Sequence, residues 1–157
     1  MEPKRIVLLS CVATKLDHPA PAEELYDSPL FKKSLEYAKA LKPDAIYILS
    51  AKHYVLPLHK VIAPYDKTLL DMPVEEVREW GAQVVKILAD KFDLDNDHFI
   101  ILAGDKYRKY IVPQLASWEA PLEGLRIGEQ LSWYTKQLKK VIKHIKEGFY
   151  KIFKHLL

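Results

Sequence analysis

Three short β-branched runs separated by longer amphipathic stretches predict an α/β fold. The expected form is a single three-layer domain with a mostly parallel sheet, helices on both faces, and a basic amphipathic helix at the C-terminus. The run Arg5 to Ser10 is apolar between its ends, as a strand buried on both faces should be; Ala45 to Ser50 and His98 to Ala103 repeat that character. The β-α-β-α-β order implies parallel pairing through right-handed crossovers. Ser28-Pro29 opens the first helix, because the hydroxyl can accept an orphan N–H and proline has none to lose. Leu30, Phe31, Leu35, Ala38 and Leu41 mark its buried side. Asp71-Met72-Pro73 leads into the second helix, where Val77, Trp80, Val84, Ile87, Leu88 and Phe92 recur at helical spacing. Asp105 to Leu115 reads as a third helix, which Pro113 should end or bend.

A length of 157 residues suits one domain, and a composition 49% hydrophobic and 29% charged excludes chain-wide disorder. Cys11 is the only cysteine, which excludes a disulfide scaffold or an iron–sulfur protein. No apolar run approaches the roughly 20 residues of a bilayer-spanning helix. The apolar run from Ile6 to Leu9 is too short for a secretory signal, so a cytoplasmic, reducing compartment is the expectation. The net charge of +3 hides an asymmetry: residues 136–157 hold seven lysines against Glu147, while the other 135 residues sum to −3. The chain thus divides into an α/β domain, 1–135, and a basic tail, 136–157. Leu138, Ile142, Ile145, Phe149, Ile152 and Leu156 form a heptad-like stripe along the tail. That stripe is expected to pack on the domain with its lysines solvated. A phosphate-backbone contact and a membrane-surface helix are the sharper readings.

Parallel sheets bind ligands beyond the carboxyl ends of their strands. Three strand exits therefore matter: Ser10-Cys11-Val12-Ala13-Thr14-Lys15, Ser50-Ala51-Lys52-His53-Tyr54 and Ala103-Gly104-Asp105-Lys106-Tyr107. The connection from Ala51 to Met72 is far longer than the usual two to six residues of such loops, and it is too aromatic for disorder. It reads as an ordered lid or pocket wall. Within it, Asp66 either caps the turn Pro64-Tyr65-Asp66 through its own backbone or presents a carboxylate. Next to Lys52, His53 would be held neutral and able to act near pH 7, or it is a structural histidine. Thr14 and Lys15 offer a hydroxyl and a cation to a phosphate, although no Walker frame surrounds them. Cys11 reads first as a small buried residue. The spacings Cys11–His18 and His53–His59 match no zinc pattern, so no metal or cofactor is expected.

Several motifs in order resemble a known family. They are Ser10-Cys11 with Lys15, Ala22-Glu23-Glu24-Leu25-Tyr26-Asp27-Ser28-Pro29-Leu30-Phe31, Ile48-Leu49-Ser50-Ala51-Lys52-His53, Pro64-Tyr65-Asp66-Lys67-Thr68-Leu69 and Ile127-Gly128-Glu129-Gln130-Leu131. Together they resemble a bacterial, archaeal and phage family known only as a domain of unknown function. That family is distantly similar to YaaA-like proteins, which are associated with peroxide stress and DNA binding. The resemblance implies an α/β fold and a polar site built from these motifs, which brings Tyr26, Ser28, Ser50, Tyr65, Glu129 and Gln130 to the substrate-binding set beside Cys11, Thr14, Lys15, Gly104 and Tyr107. The chain departs from the family pattern at Val12, where a small polar residue is expected, and at Tyr54, where the motif continues with glycine.

Kinship with DNA-linked proteins suggests an enzyme acting on a nucleoside or on nucleic acid, DNA above all, by cleaving an N-glycosidic bond. Such chemistry needs a carboxylate facing an oxocarbenium-like sugar and a group that assists the leaving base. Asp66 and His53 are the candidates, with Lys52 beside them and Asp105 and Glu129 as substitute carboxylates. Tyr26, Tyr54 or Tyr65 could stack on an extruded base. A non-catalytic DNA-binding stress or defence protein and a small-molecule hydrolase or transferase are the alternatives. Oligomeric state stays open.

Overall fold

The computed structural model describes residues 2–156. Strand β1 (Arg5–Ser10) lies at the centre, with β3 (Ala45–Ser50) and β6 (His98–Leu102) parallel on either side. The five-stranded order is β4-β3-β1-β6-β7, where β4 (Tyr54–Pro57) is antiparallel to β3 and β7 (Ser117–Glu119) is parallel to β6. Ile6 to Leu9 are fully buried because alternate side chains feed two different cores. Ile6 and Leu8 pack with Trp80, Val84 and Leu88 of α3 (Val74–Lys91) on one face. Val7 and Leu9 pack on the other with Phe31 and Ala38 of α2 (Pro29–Ala40) and with Tyr134 of α5 (Ile127–Leu156). The chain is therefore a single α/β domain with helices on both faces of a mostly parallel sheet.

Ser28 caps α2 as its sequence implies, accepting the N–H of Phe31 at 3.1 Å. Buried Asp97 ties the two parallel strands together at their starts: one carboxylate oxygen accepts from Lys4 N–H and the other from Asp93 N–H, each at 2.8 Å. Gly81 lets α3 approach the chain after β6, since a Cβ there would lie 2.6 Å from that of Tyr110.

The connection 51–72 is ordered: it folds back at once as β4, then pairs Val61–Ile62 (β5) with Ala20–Pro21 (β2), and ends in a 3₁₀ turn at Leu69–Asp71. Three sequence expectations need correction. The expected helix at 105–115 is one turn, α4 (Asp105–Arg108), followed by a 3₁₀ turn at Val112–Gln114, because Pro113 cannot donate to continue it. The strand expected to reach Ala103 ends at Leu102. Finally, the basic tail is not a separate helix that starts at 136. Helix α5 runs unbroken through it, and from Ile142 to Leu156 every residue is exposed, so the outer part of the stripe does not pack on the domain. The helix is roughly 45 Å long, which carries its second half past the sheet it starts against.

Tyr54 holds φ at 60°, in the left-handed region that favours glycine. The ring offsets part of the backbone strain by packing against the α3-side core. Tyr54→Ala keeps the strain and loses the ring, whereas Tyr54→Gly loses both. Denaturant titration should therefore find Tyr54→Gly more stable than Tyr54→Ala by about 1 kcal/mol, the usual cost of a Cβ in this region.

Candidate functional site

The exits of β1 and β6 open into a cleft of about 650 Å³ at the carboxyl edge of the sheet. Cys11 and Lys15 enter from β1, and Gly104 and Tyr107 from β6; Asp66 and Thr68 come from the long connection, and Gln130 and Tyr134 from the first turns of α5. Its lining includes apolar Leu30, Phe31, Leu122 and Ile127 and charged Lys15, Lys67, Lys106, Asp66 and Asp105.

Behind this cleft runs a chain of hydroxyls. The Ser50 hydroxyl accepts the N–H groups of His53 at 3.0 Å and Lys52 at 3.3 Å. With both lone pairs taken, Ser50 donates its own proton to the Tyr65 hydroxyl, 2.7 Å away. Tyr65 is in turn 2.5 Å from the buried Tyr26 hydroxyl. The carbonyl of Ser50 accepts from Trp80 Nε1 at 2.9 Å, so the end of β3 is held from both faces. Cys11 links the chain to the cleft, its thiol 3.2 Å from the Tyr107 hydroxyl.

Burial is the main cause that keeps these phenols protonated. It pushes Tyr65 up to about 12, with the Cys11 charge adding to it. Burial also raises Tyr26 and Tyr107. They are neutral hydrogen-bonding groups near pH 7 and not bases. Lys15 lies 4.5 Å from the Tyr65 ring centroid and 5.6 Å from that of Tyr26, a cation over two aromatic faces. Burial lowers its pKa, and Cys11 and Asp66 partly offset that. Lys106 donates to the carbonyls of Leu70 at 3.1 Å and Met72 at 3.2 Å. It therefore braces the segment that carries Asp66 and Thr68.

The expected site residues fall into three groups. Cys11, Lys15, Asp66, Gly104, Tyr107 and Gln130 line the cleft. Tyr26, Ser50 and Tyr65 stand behind it, with His53 packed edge-on to Tyr65 at 5.3 Å between centroids and Lys52 exposed beside them. Thr14, Ser28 and Glu129 are elsewhere. The Thr14 side chain is exposed while its carbonyl accepts from Asp27 N–H; Ser28 is occupied as the helix cap. Glu129 accepts from Arg126 N–H in a neighbouring groove. Three contributors escaped the sequence reading. Lys106 lay in a strand exit but gave no sign of its bracing role, Trp80 looked like core alone, and Ser34 sits inside an amphipathic helix. Among the described residues, no three His, Cys, Asp or Glu side chains cluster as a metal would require.

The model of a family of unknown function, DUF6884, matches residues 6–136. The chain belongs to that family. No curated protein and no solved structure matches it. The DUF6884 match takes in the cleft and the hydroxyl chain, and it stops where α5 leaves the domain.

In this DUF6884 domain, burial and then the charges of Lys52 and Lys60 hold His53 below its ordinary value of 6.5. Its Nε2 is buried without a hydrogen-bond partner. The unfolded chain therefore protonates this imidazole before the folded one does. Stability from this group is full above about pH 6.5 and falls as the pH drops below it, until the folded imidazole also takes up its proton. Melting temperatures recorded from about pH 8 to pH 5 should show that fall, and His53→Gln should flatten it.

Proposed function

We propose that this protein cleaves an N-glycosidic bond in a nucleoside or nucleotide, free or within nucleic acid. The observation that carries the reading is the mixed lining of the cleft: apolar side chains, a carboxylate and a group of lysines border a space of about 650 Å³. Ligand pockets of roughly 300–1,000 Å³ take molecules of nucleoside size, and a lining both apolar and charged suits a base joined to a sugar phosphate. The distant resemblance to DNA-linked YaaA-like proteins supports the same substrate class.

In this mechanism the base lies against the apolar side chains and phosphate oxygens meet Lys15 and Lys67. Asp66 stabilises the electron-poor sugar as the C1′–N bond breaks, and the bonding electron pair leaves with the base. Tyr107, kept protonated by burial, donates a hydrogen bond to the departing base. Water adds to C1′ and gives up a proton to Asp66 or to solvent. His53 does not line the cleft, so it acts through Tyr65 as a positioning residue.

Asp66 is exposed, so Asp66→Asn should leave the melting curve unchanged. In single-turnover release of base from nucleosides, nucleoside monophosphates and DNA, it should lower the rate by a factor on the order of 100, the scale of a lost electrostatic stabiliser. Full activity of Asp66→Asn on the responsive substrate would reduce Asp66 to a turn residue.

A further inference from the structure

The outer half of α5 has an unpartnered face of a defined kind. Ile142, Ile145, Phe149, Ile152, Phe153 and Leu156 are each 51–76% exposed. At about 100° per residue they fall within one arc of roughly 120°, together with Leu138 and Val141. Lys136, Lys139, Lys140, Lys143, Lys146, Lys151 and Lys154 fall in an arc of roughly 140° on the opposite side, and Lys139 and Lys146 lie along one border of the apolar arc. Glu147 is the single acid and sits among the lysines. Tyr150 lies within the lysine arc, 71% exposed.

Whatever covers this face must offer an apolar layer with negative charge beside it. A second α5 does not: pairing copies would bring together two helices that each carry seven lysines against one acid. Nucleic acid answers the lysines but leaves the apolar arc in water. No helix among the described residues is long and apolar enough to cross a membrane, so the remaining geometry is a helix lying flat. We propose that residues 137–156 form a membrane-surface helix, seating the apolar arc at the acyl boundary of an anionic bilayer while the lysines meet lipid phosphates. Over this length the contact extends roughly 30 Å, and aromatic Phe149 and Phe153 sit at interfacial depth.

The test is co-sedimentation of the full chain with vesicles of phosphatidylcholine alone and of phosphatidylcholine with phosphatidylglycerol. Partition into the anionic vesicles should be on the order of tenfold stronger or more, and added salt should weaken it. The double variant Ile145→Glu with Phe149→Glu changes only exposed positions, so its melting curve should match the parent while vesicle binding is lost. Lys143→Glu with Lys154→Glu should abolish the preference for anionic lipid. Failure to bind either vesicle overturns the proposal, as does equal binding to both. So does a self-associated species, seen by sedimentation velocity without lipid, that the Ile145→Glu and Phe149→Glu pair disperses, because the stripe is then covered by a second copy.

Discussion

Burial of β1 on both faces is the constraint from which the remaining architecture follows. A strand with Ile6 and Leu8 facing one core and Val7 and Leu9 the other needs a helix layer on each side and a strand on each edge. Parallel neighbours are then obligatory in this chain, because each crossover must carry a helix back over a face. The consequence for function is geometric. Parallel strands end together, so the exits of β1, β3 and β6 open on one edge, and residues distant in sequence such as Cys11 and Tyr107 meet there.

At that edge the chemistry is set by low exposure and not by charge pairing. Ser50 spends its lone pairs on the turn that follows β3 and its proton on Tyr65, so one hydroxyl both shapes the turn and orients the phenol. The phenols stay neutral because ionising them would bury a charge. What charge the cleft carries is therefore concentrated on Lys15, Lys67, Lys106, Asp66 and Asp105. Ser50, Tyr26 and Tyr65 form a neutral hydrogen-bonding layer behind that charged cleft.

The tyrosine at position 54 shows how a local departure is tolerated. A left-handed residue at the turn between β3 and β4 costs backbone strain. Here the ring recovers part of that cost by packing on the core next to Val55. The turn keeps its geometry, and the hydrogen bonds from Lys52 and His53 to Ser50 remain in register.

The central strands, the cap at Ser28 and the two long helices were legible in the sequence because periodicity and capping are local properties. The strand-exit rule also located the cleft, since it needs only the order of elements. Beyond that, sequence reasoning reached its limit wherever a partner far along the chain decides the outcome. The edge strands β4 and β7 have too few residues to carry a period, and they exist because β3 and β6 leave hydrogen-bonding edges for them. Thr14, Ser28 and Glu129 share the chemistry of site residues, yet none lines the cleft: Ser28 is taken up in capping α2 and Glu129 in accepting from Arg126 N–H, while the Thr14 side chain is exposed. The stripe of α5 was readable to the residue, but its exposure was not. Amphipathicity states that a helix has a face to cover, while only the tertiary path of α5 away from the sheet decides that the domain itself does not cover it.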